Sequence, residues 1–409
     1  MTSTPVRRVR LAYLVSHPIQ YQTPMLRRIA QEQDIDLTVF FCSDFSLRGY
    51  KDEGFGVDVT WDVPLLEGYQ SEFLPSLRDH GTSGFASQIN YGLFSRLRGR
   101  KGEAPYDILW MHGYSTVNAF QGMLAAKVLG IPVLMRSDSS LGDRVRGGLK
   151  LRVKGLFFSL LERFVDGVLT IGTLSTAYWT HYFGDRVPQF LMPHAVDNAW
   201  FQARCREASL TRLELQEELG LDPTRPVILF ASKLQARKHC DHLIEAYARL
   251  GSDGVEPLPY LVIVGDGECR AALEAQALAT GLAGIRFCGF RNQSELPRYF
   301  DLASVFVLPA RHEPWGLIVN EVMNAGCPVI VSDDIGCQPD LVRDGVEGAV
   351  FPVGDVAGLE AALRRVLATP ETASRMGLSA LATINRFSFE EDVKGLRRAL
   401  EQLTRRTRS

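Results

Sequence analysis

Short runs of Val, Ile, Leu and Phe alternate along this chain with longer stretches in which apolar residues recur at helical spacing. A strand buried on both faces reads as a continuous apolar run, so the alternation predicts parallel strands covered by helices on both sides. The pattern occurs twice. In the first half it predicts strands at 8–16, 35–42, 107–112, 131–137, 167–171 and 189–192. In the second half it predicts strands at 227–232, 260–264, 285–288, 304–308, 328–332 and 349–351. Between them, a polar stretch rich in Arg and Glu that runs to Pro226 reads as a linker with one short helix. The fold class expected is α/β: two Rossmann-like, doubly wound parallel-sheet domains facing a central cleft. The first covers 1–200 and the second 201–385, and the segment 386–409 carries a carboxyl-terminal helix from about Phe389 to Leu403, capped by Ser388.

Composition narrows the function. With 45 basic and 47 acidic side chains in 409 residues the net charge is -2, which gives no general attraction to nucleic acid. Seven cysteines are scattered without a CxxC pair, an arrangement of neither a disulfide framework nor a zinc site, and it points to a reducing compartment. No apolar run reaches the ~18 residues of a membrane span, and the first twenty residues are too polar for a signal peptide, so a cytoplasmic protein is expected.

Ligands of doubly wound sheets sit beyond the carboxyl ends of the strands, so the chemistry is sought just after them. Residues 308–332, LPARHEPWGLIVNEVMNAGCPVIVS, read as strand, loop, helix and strand. The helix opening at Gly316, Leu317 and Ile318 offers unpaired amides and a positive dipole end, which suit a diphosphate. Glu313 on the loop and Glu321 in the helix can accept hydrogen bonds from sugar hydroxyls.

This segment resembles the EPFGL…E…GxPVV signature of retaining GT-B glycosyltransferases of the family 4 type, the glycosyl transferases group 1. The resemblance implies that Glu313 contacts the donor sugar, Glu321 the ribose and the amides at Gly316 and Leu317 the diphosphate of a nucleotide-sugar, with UDP the usual carrier. It extends over nearly all of 226–352. Val262-Ile-Val-Gly-Asp-Gly-Glu268, with Gly265, is similar to the family's VGDGP loop. Phe287-Cys-Gly-Phe-Arg291 is similar to its LGF segment, whose backbone holds the base. A glycine pair after a strand is also an ordinary tight turn.

The loop after 227–232 carries Lys233, Arg237 and Lys238. A departing nucleoside diphosphate gathers negative charge as the glycosidic bond breaks, and fixed cations stabilise that state more than the ground state. Lys233 and Lys238 fit the role, Lys233 standing where the family usually has Arg; Arg237 reads as a surface residue. With cations in place neither a metal nor a cofactor is expected, and Asp34-Ile-Asp36 precedes a strand and is set aside as a metal motif.

The first half resembles the family more loosely, through its layout and Pro193-His-Ala-Val-Asp197. His17, His112 and Asp138 end strands and are candidates for binding an acceptor hydroxyl or moving its proton. Many relatives have a glycine-rich loop and a His where this chain has His17 with Gln20, and Asp138. His17 equally reads as the cap of a helix beginning at Pro18. Basic residues across 144–163 mark either an amphipathic helix resting transiently on an anionic membrane or the solvated face of a packed helix; Arg96, Arg98, Arg100 and Lys101 add a basic loop. The partners expected are thus a nucleotide-sugar donor and a hydroxyl acceptor. Two other readings use the same frame: a GT-B-type sugar-nucleotide epimerase, and a non-catalytic nucleotide-sugar-binding subunit.

Overall fold

The computed structural model describes residues 7–52, 54–81, 84–99, 102–141, 148–252, 254 and 257–406. The chain divides into two units. Unit 1 comprises 1–50, 63–194 and 389–409, and unit 2 comprises 51–62 and 195–388. The division falls after His194, and the segment 51–62 groups with the second unit rather than with the rest of the amino-terminal half.

In chain order the first elements are β1 (Val9–Val15), α1 (Thr23–Ala30), β2 (Ile35–Phe41), β3 (Tyr50–Lys51), β4 (Asp58–Val59) and β5 (Gln70–Phe73). Next come β6 (Ser76–Asp79), β7 (Gln88–Asn90), α2 (Leu93–Leu97), β8 (Ile108–His112), α3 (Val117–Leu129) and β9 (Val133–Arg136). The amino-terminal half closes with α4 (Gly148–Leu161), β10 (Gly167–Thr170), α5 (Thr173–Phe183) and β11 (Gln189–Leu191). Unit 1 is a seven-stranded sheet in the order β11-β10-β9-β8-β1-β2-β5, with parallel pairing throughout.

The remaining elements are α6 (Asn198–Ser209), α7 (Arg212–Leu219), β12 (Val227–Ala231), α8 (Cys240–Ser252), β13 (Tyr260–Val264) and α9 (Arg270–Ala279). They continue with β14 (Ile285–Gly289), α10 (Leu296–Leu302), β15 (Val305–Leu308), α11 (Leu317–Met323), β16 (Val329–Ser332) and α12 (Gln338–Leu341). The last are β17 (Gly348–Phe351), α13 (Val356–Val366), α14 (Pro370–Ile384) and α15 (Phe389–Arg406). Unit 2 is a six-stranded parallel sheet, β14-β13-β12-β15-β16-β17. Each unit has the Rossmann-like topology of the α/β GT-B fold class. Both central sheets are built from fully buried runs such as Val227-Ile-Leu-Phe-Ala231.

One face of the unit 1 sheet packs on α1 and on α15, which buries Val393, Leu396, Leu400 and Leu403 against Leu11, Tyr13 and Trp110. The other packs on α3, α4 and α5 through Met123, Phe158 and Trp179. The stretch expected to be a linker with one short helix instead forms α6 and α7. Asp197 caps α6 by accepting from the Trp200 amide at 2.9 Å, and Phe201, Cys205 and Ala208 form a buried stripe at helical spacing. Charged residues between them hide the stripe in the sequence. Strands β5 and β6 escaped prediction because their residues, Gln70-Ser-Glu-Phe73 and Ser76-Leu-Arg-Asp79, are polar and not fully buried.

Candidate functional site

In unit 2 the strand order reverses between β12 and β15, so the loops leaving these neighbouring strands lie side by side at the switch point where doubly wound sheets hold ligands. The β12 loop carries Lys233, Arg237 and Lys238, and the β15 loop carries Glu313. A backbone bond from the Arg311 amide to the Arg237 carbonyl, 2.7 Å, ties the two loops together. Lys238 Nζ then lies 2.5 Å from Glu313 Oε2, and Arg237 Nη1 lies 2.8 Å from the same oxygen. Arg237, read from sequence as a surface residue, is half-exposed and still reaches the site. Burial by itself would raise the Glu313 carboxyl, but the two cations outweigh it and hold it below its ordinary range. Burial works against the charge of Lys238 and lowers its ammonium.

Lys233 faces the segment 51–62. Its Nζ donates to both oxygens of Asp52, at 2.7 and 2.9 Å, and lies 4.6 Å from the centre of the Phe55 ring. Phe55 packs edge-on against Phe290 with ring centres 4.8 Å apart, and Asn292 donates to the Thr60 carbonyl at 2.7 Å. These contacts explain why 51–62 groups with unit 2. They also bring an aromatic ring to the segment whose backbone is expected to hold the base. Arg291, beside it, donates to Glu295 at 3.1 Å.

Gly316 precedes α11 with φ 87, a left-handed conformation that favours glycine, and a Cβ there would lie 3.0 Å from Ile335 Cγ2. Leu317 and Ile318 follow as the first residues of the helix. Beneath them Glu321 is buried and makes no side-chain hydrogen bond or ion pair among the described residues. Burial alone pushes its carboxyl up to about 8. At neutral pH it is therefore largely protonated and can both give and accept a hydrogen bond. Gly265, at φ 134, approaches the Ser232 carbonyl so closely that a Cβ would sit 1.9 Å from its oxygen. The glycine thus shapes the base of the Lys233 loop.

In unit 1 the order reverses between β1 and β8, and His17 and His112 stand at the ends of these strands. His17 accepts from or donates to Ser16 Oγ at 2.9 Å and packs on Phe45. It does not cap a helix at Pro18: α1 begins at Thr23, after Gln22, because Pro24 supplies the helix-starting proline. Gln22 links Tyr13 at 2.8 Å to His112 Nδ1 at 3.3 Å. Asp138 Oδ1 lies 3.8 Å from Nε2 of His194, a buried residue that sequence reasoning left unassigned within Pro193-His-Ala-Val-Asp197. Burial lowers His17 and His194 to about 4 and lowers His112 as well. Burial would raise Asp138, but His194, His112 and Arg136 outweigh it and bring it down. At neutral pH the three imidazoles are neutral, and Asp138, beside His194 and under the influence of His112, is a carboxylate, a set able to accept protons. Arg136 is fixed beneath it by the carbonyls of Met192 and Pro193, at 3.3 and 3.2 Å.

Among the described residues the chain also brings together His239, Asp241 and His242 with metal-ligand atoms within 4.8 Å of one another, at the start of α8. The set-aside pair Asp34 and Asp36 serves as counter-charge to Arg397 at 2.8 Å and Arg10 at 3.6 Å. No described helix is long and apolar enough to cross a membrane. Of the basic residues noted in the sequence, Arg144, Arg146, Arg100 and Lys101 lie outside the described residues.

Residues 211–383, which contain the unit 2 residues of the candidate site except those of 51–62, match the family model described as glycosyl transferases group 1. This part of the chain is a group 1 glycosyltransferase domain. The group 1 domain has a relative in alpha-D-kanosaminyltransferase of Streptomyces kanamyceticus, 33% identical over 180 residues, 44% of this chain and 46% of that protein. The matched stretch is thus under half the length of that relative. D-inositol 3-phosphate glycosyltransferase of Segniliparus rotundus is 25% identical over 343 residues, 81% of this chain and 72% of that one. In fold, the chain is similar to Anabaena Alr3699/HepE, solved in complex with UDP, with a TM-score of 0.71 at 17% identity, over 97% of this chain and all of that one.

Proposed function

We propose that the protein is a retaining, metal-independent glycosyltransferase that moves a sugar from a nucleotide-sugar, a UDP-sugar, to an acceptor hydroxyl. The observation that carries the reading is the unit 2 switch point. A cationic pair, Lys238 and Arg237, meets Glu313 there, and a buried Glu321 with no partner among the described residues stands eight residues further on. A carboxyl held without a partner is costly unless a ligand completes it, and a ribose diol does so. Lys238 and Lys233 supply the positive charge that a metal would otherwise bring to the leaving diphosphate, together with the first amides of α11. Glu313, oriented by its cations, is left to bind hydroxyls of the donor sugar. Donor binding replaces Asp52 as the partner of Lys233. The leaving phosphate oxygen takes the acceptor proton on the same face of the sugar, so no protein nucleophile is needed. On unit 1, Asp138 with His194, His112 and His17 orients the acceptor. The seven unpaired cysteines suit a reducing, cytoplasmic setting.

The UDP complex of HepE supports the choice of donor, and the sugar-transferring relative supports sugar transfer. The test is a thermal-shift screen of the purified protein against UDP, GDP, ADP and TDP and their common sugars, repeated for Glu321→Ala. Stabilisation by a uridine diphosphate that the substitution weakens is expected. Stabilisation by another base alone overturns the donor, and no shift with any nucleotide overturns the reading. Slow hydrolysis of the donor without acceptor separates an enzyme from a binding subunit, and the anomeric configuration of the product, read by proton NMR, decides retention.

A further inference from the structure

We infer that an outward apolar face on unit 1, built from α3, α4 and Phe85, is a docking surface for an anionic lipid bilayer. Helix α4 turns Phe158 and Leu161 into the core, yet its opposite side is also apolar. Val153, Leu156 and Leu160, spaced one turn apart, are 62, 74 and 55% exposed. Helix α3 repeats the arrangement, with Ala119, Met123 and Ala126 buried and Phe120, Leu124 and Val128 exposed at a spacing of four. A helix apolar all round is normally covered on both sides.

The two stripes are continuous. Phe120 packs edge-on against Phe157 of α4 and against Phe85, with ring centres 6.2 Å apart in each case, and the Phe85 carbonyl accepts from the first amide of α3 at 2.9 Å. Contiguous exposed apolar area of this kind marks an interaction surface rather than scattered hydrophobes.

Charge selects the partner. Neither helix contains Asp or Glu, whereas Lys127, Lys150, Arg152 and Lys154 stand on them, in a chain whose net charge is -2. Lys127 and Arg152 are exposed, and Lys154 lies over the rings of Tyr178 and Tyr182. Apolar side chains flanked by Lys127 and Arg152, which pair with no carboxylate among the described residues, match the boundary of an anionic bilayer, where the first enter the acyl region and the second meet headgroup phosphates. A second copy of the chain suits the face poorly, because a two-fold contact would set these cations against their own images.

The experiment is co-flotation of the full-length protein with vesicles of phosphatidylcholine alone and of phosphatidylcholine with phosphatidylglycerol, at low and high salt. Binding to the anionic vesicles at least about tenfold above the neutral ones, weakened by salt, is expected. The triple substitution Val153→Glu, Leu156→Glu, Leu160→Glu should abolish it. The pair Lys127→Glu, Arg152→Glu, which leaves the apolar stripe intact, should reduce it about tenfold or more. Leu278→Glu, at an exposed leucine of unit 2, should leave it unchanged. Thermal melts check that each variant is folded, and should the triple variant melt early, the charge pair decides alone. The inference falls if the wild type ignores anionic vesicles, if it binds neutral and anionic vesicles alike, or if light scattering finds a dimer that the Glu substitutions dissolve.

Discussion

Lys238 Nζ and Glu313 Oε2 lie 2.5 Å apart although 75 residues separate them in the chain, and Arg237 closes on the same carboxylate oxygen. Adjacent central strands make this meeting. If the proposed chemistry holds, Lys238→Met removes a cation that acts on the leaving diphosphate. Turnover should then fall about 100- to 1000-fold and diphosphate affinity should drop in titration calorimetry. Glu313→Gln should spare diphosphate affinity and lower kcat, because it alters only the sugar's partner. Equal loss of nucleotide binding in both variants would assign the pair to scaffolding instead.

On the proposed reading, Asp52 competes with the nucleotide for Lys233. Burial would raise Asp52, but Lys233 and the amides of Phe55 and Gly54 outweigh it and hold it below its ordinary range. Asp52→Asn leaves the lysine without its carboxylate, so nucleoside diphosphate should bind about 3- to 10-fold more tightly. Weaker binding in calorimetry would show that the aspartate preorganises Lys233 rather than withholding it.

The Glu321 carboxyl stands at about 8 against an ordinary 4.5. The folded protein therefore keeps a proton that the unfolded chain releases, and stability falls as pH rises between these two values. Glu321→Gln removes that slope. In the absence of nucleotide its melting temperature should gain on the wild type from pH 5 to pH 8, by an amount worth a few kcal/mol. Asp392, fully buried and likewise pushed up to about 8, should give the same sign in Asp392→Asn. A pH-independent difference would mean the carboxyl finds a partner in solution.

Gly265→Ala places a methyl 1.9 Å from the Ser232 oxygen at a φ of 134. A loss of about 2–4 kcal/mol in denaturant unfolding of unit 2 is expected, together with weaker nucleotide binding through the displaced Lys233 loop. Unchanged stability would show that the two loops separate freely.

The central strands with apolar runs were readable because burial on both faces leaves an unbroken hydrophobic signature, as in Val227-Ile-Leu-Phe-Ala231, whereas the edge strands β11 and β14 are only partly buried. Glu313, Glu321 and Gly316 were readable because their spacing is local, set by one loop and one short helix. Other features depend on tertiary closeness. Asp52 reaches Lys233 across 181 residues, and no periodicity announces it. Arg237 looked like a solvated charge because its partner lies on another strand's loop. His194 follows a strand as His17 does, but its significance comes from Asp138, two strands away in the sheet. Local chemistry shows in sequence; partnership across the sheet does not.

On the proposed reading, the bond between Asp52 and Lys233 makes nucleotide capture an exchange of counter-ions. A bare lysine would draw the diphosphate by releasing small anions from solution, and its affinity would fall steeply with ionic strength. In that exchange the displaced anion is tethered to the protein and would return when product leaves, so Lys233 would contribute little to that dependence, and the same aspartate that yields to the donor would help expel the spent nucleotide.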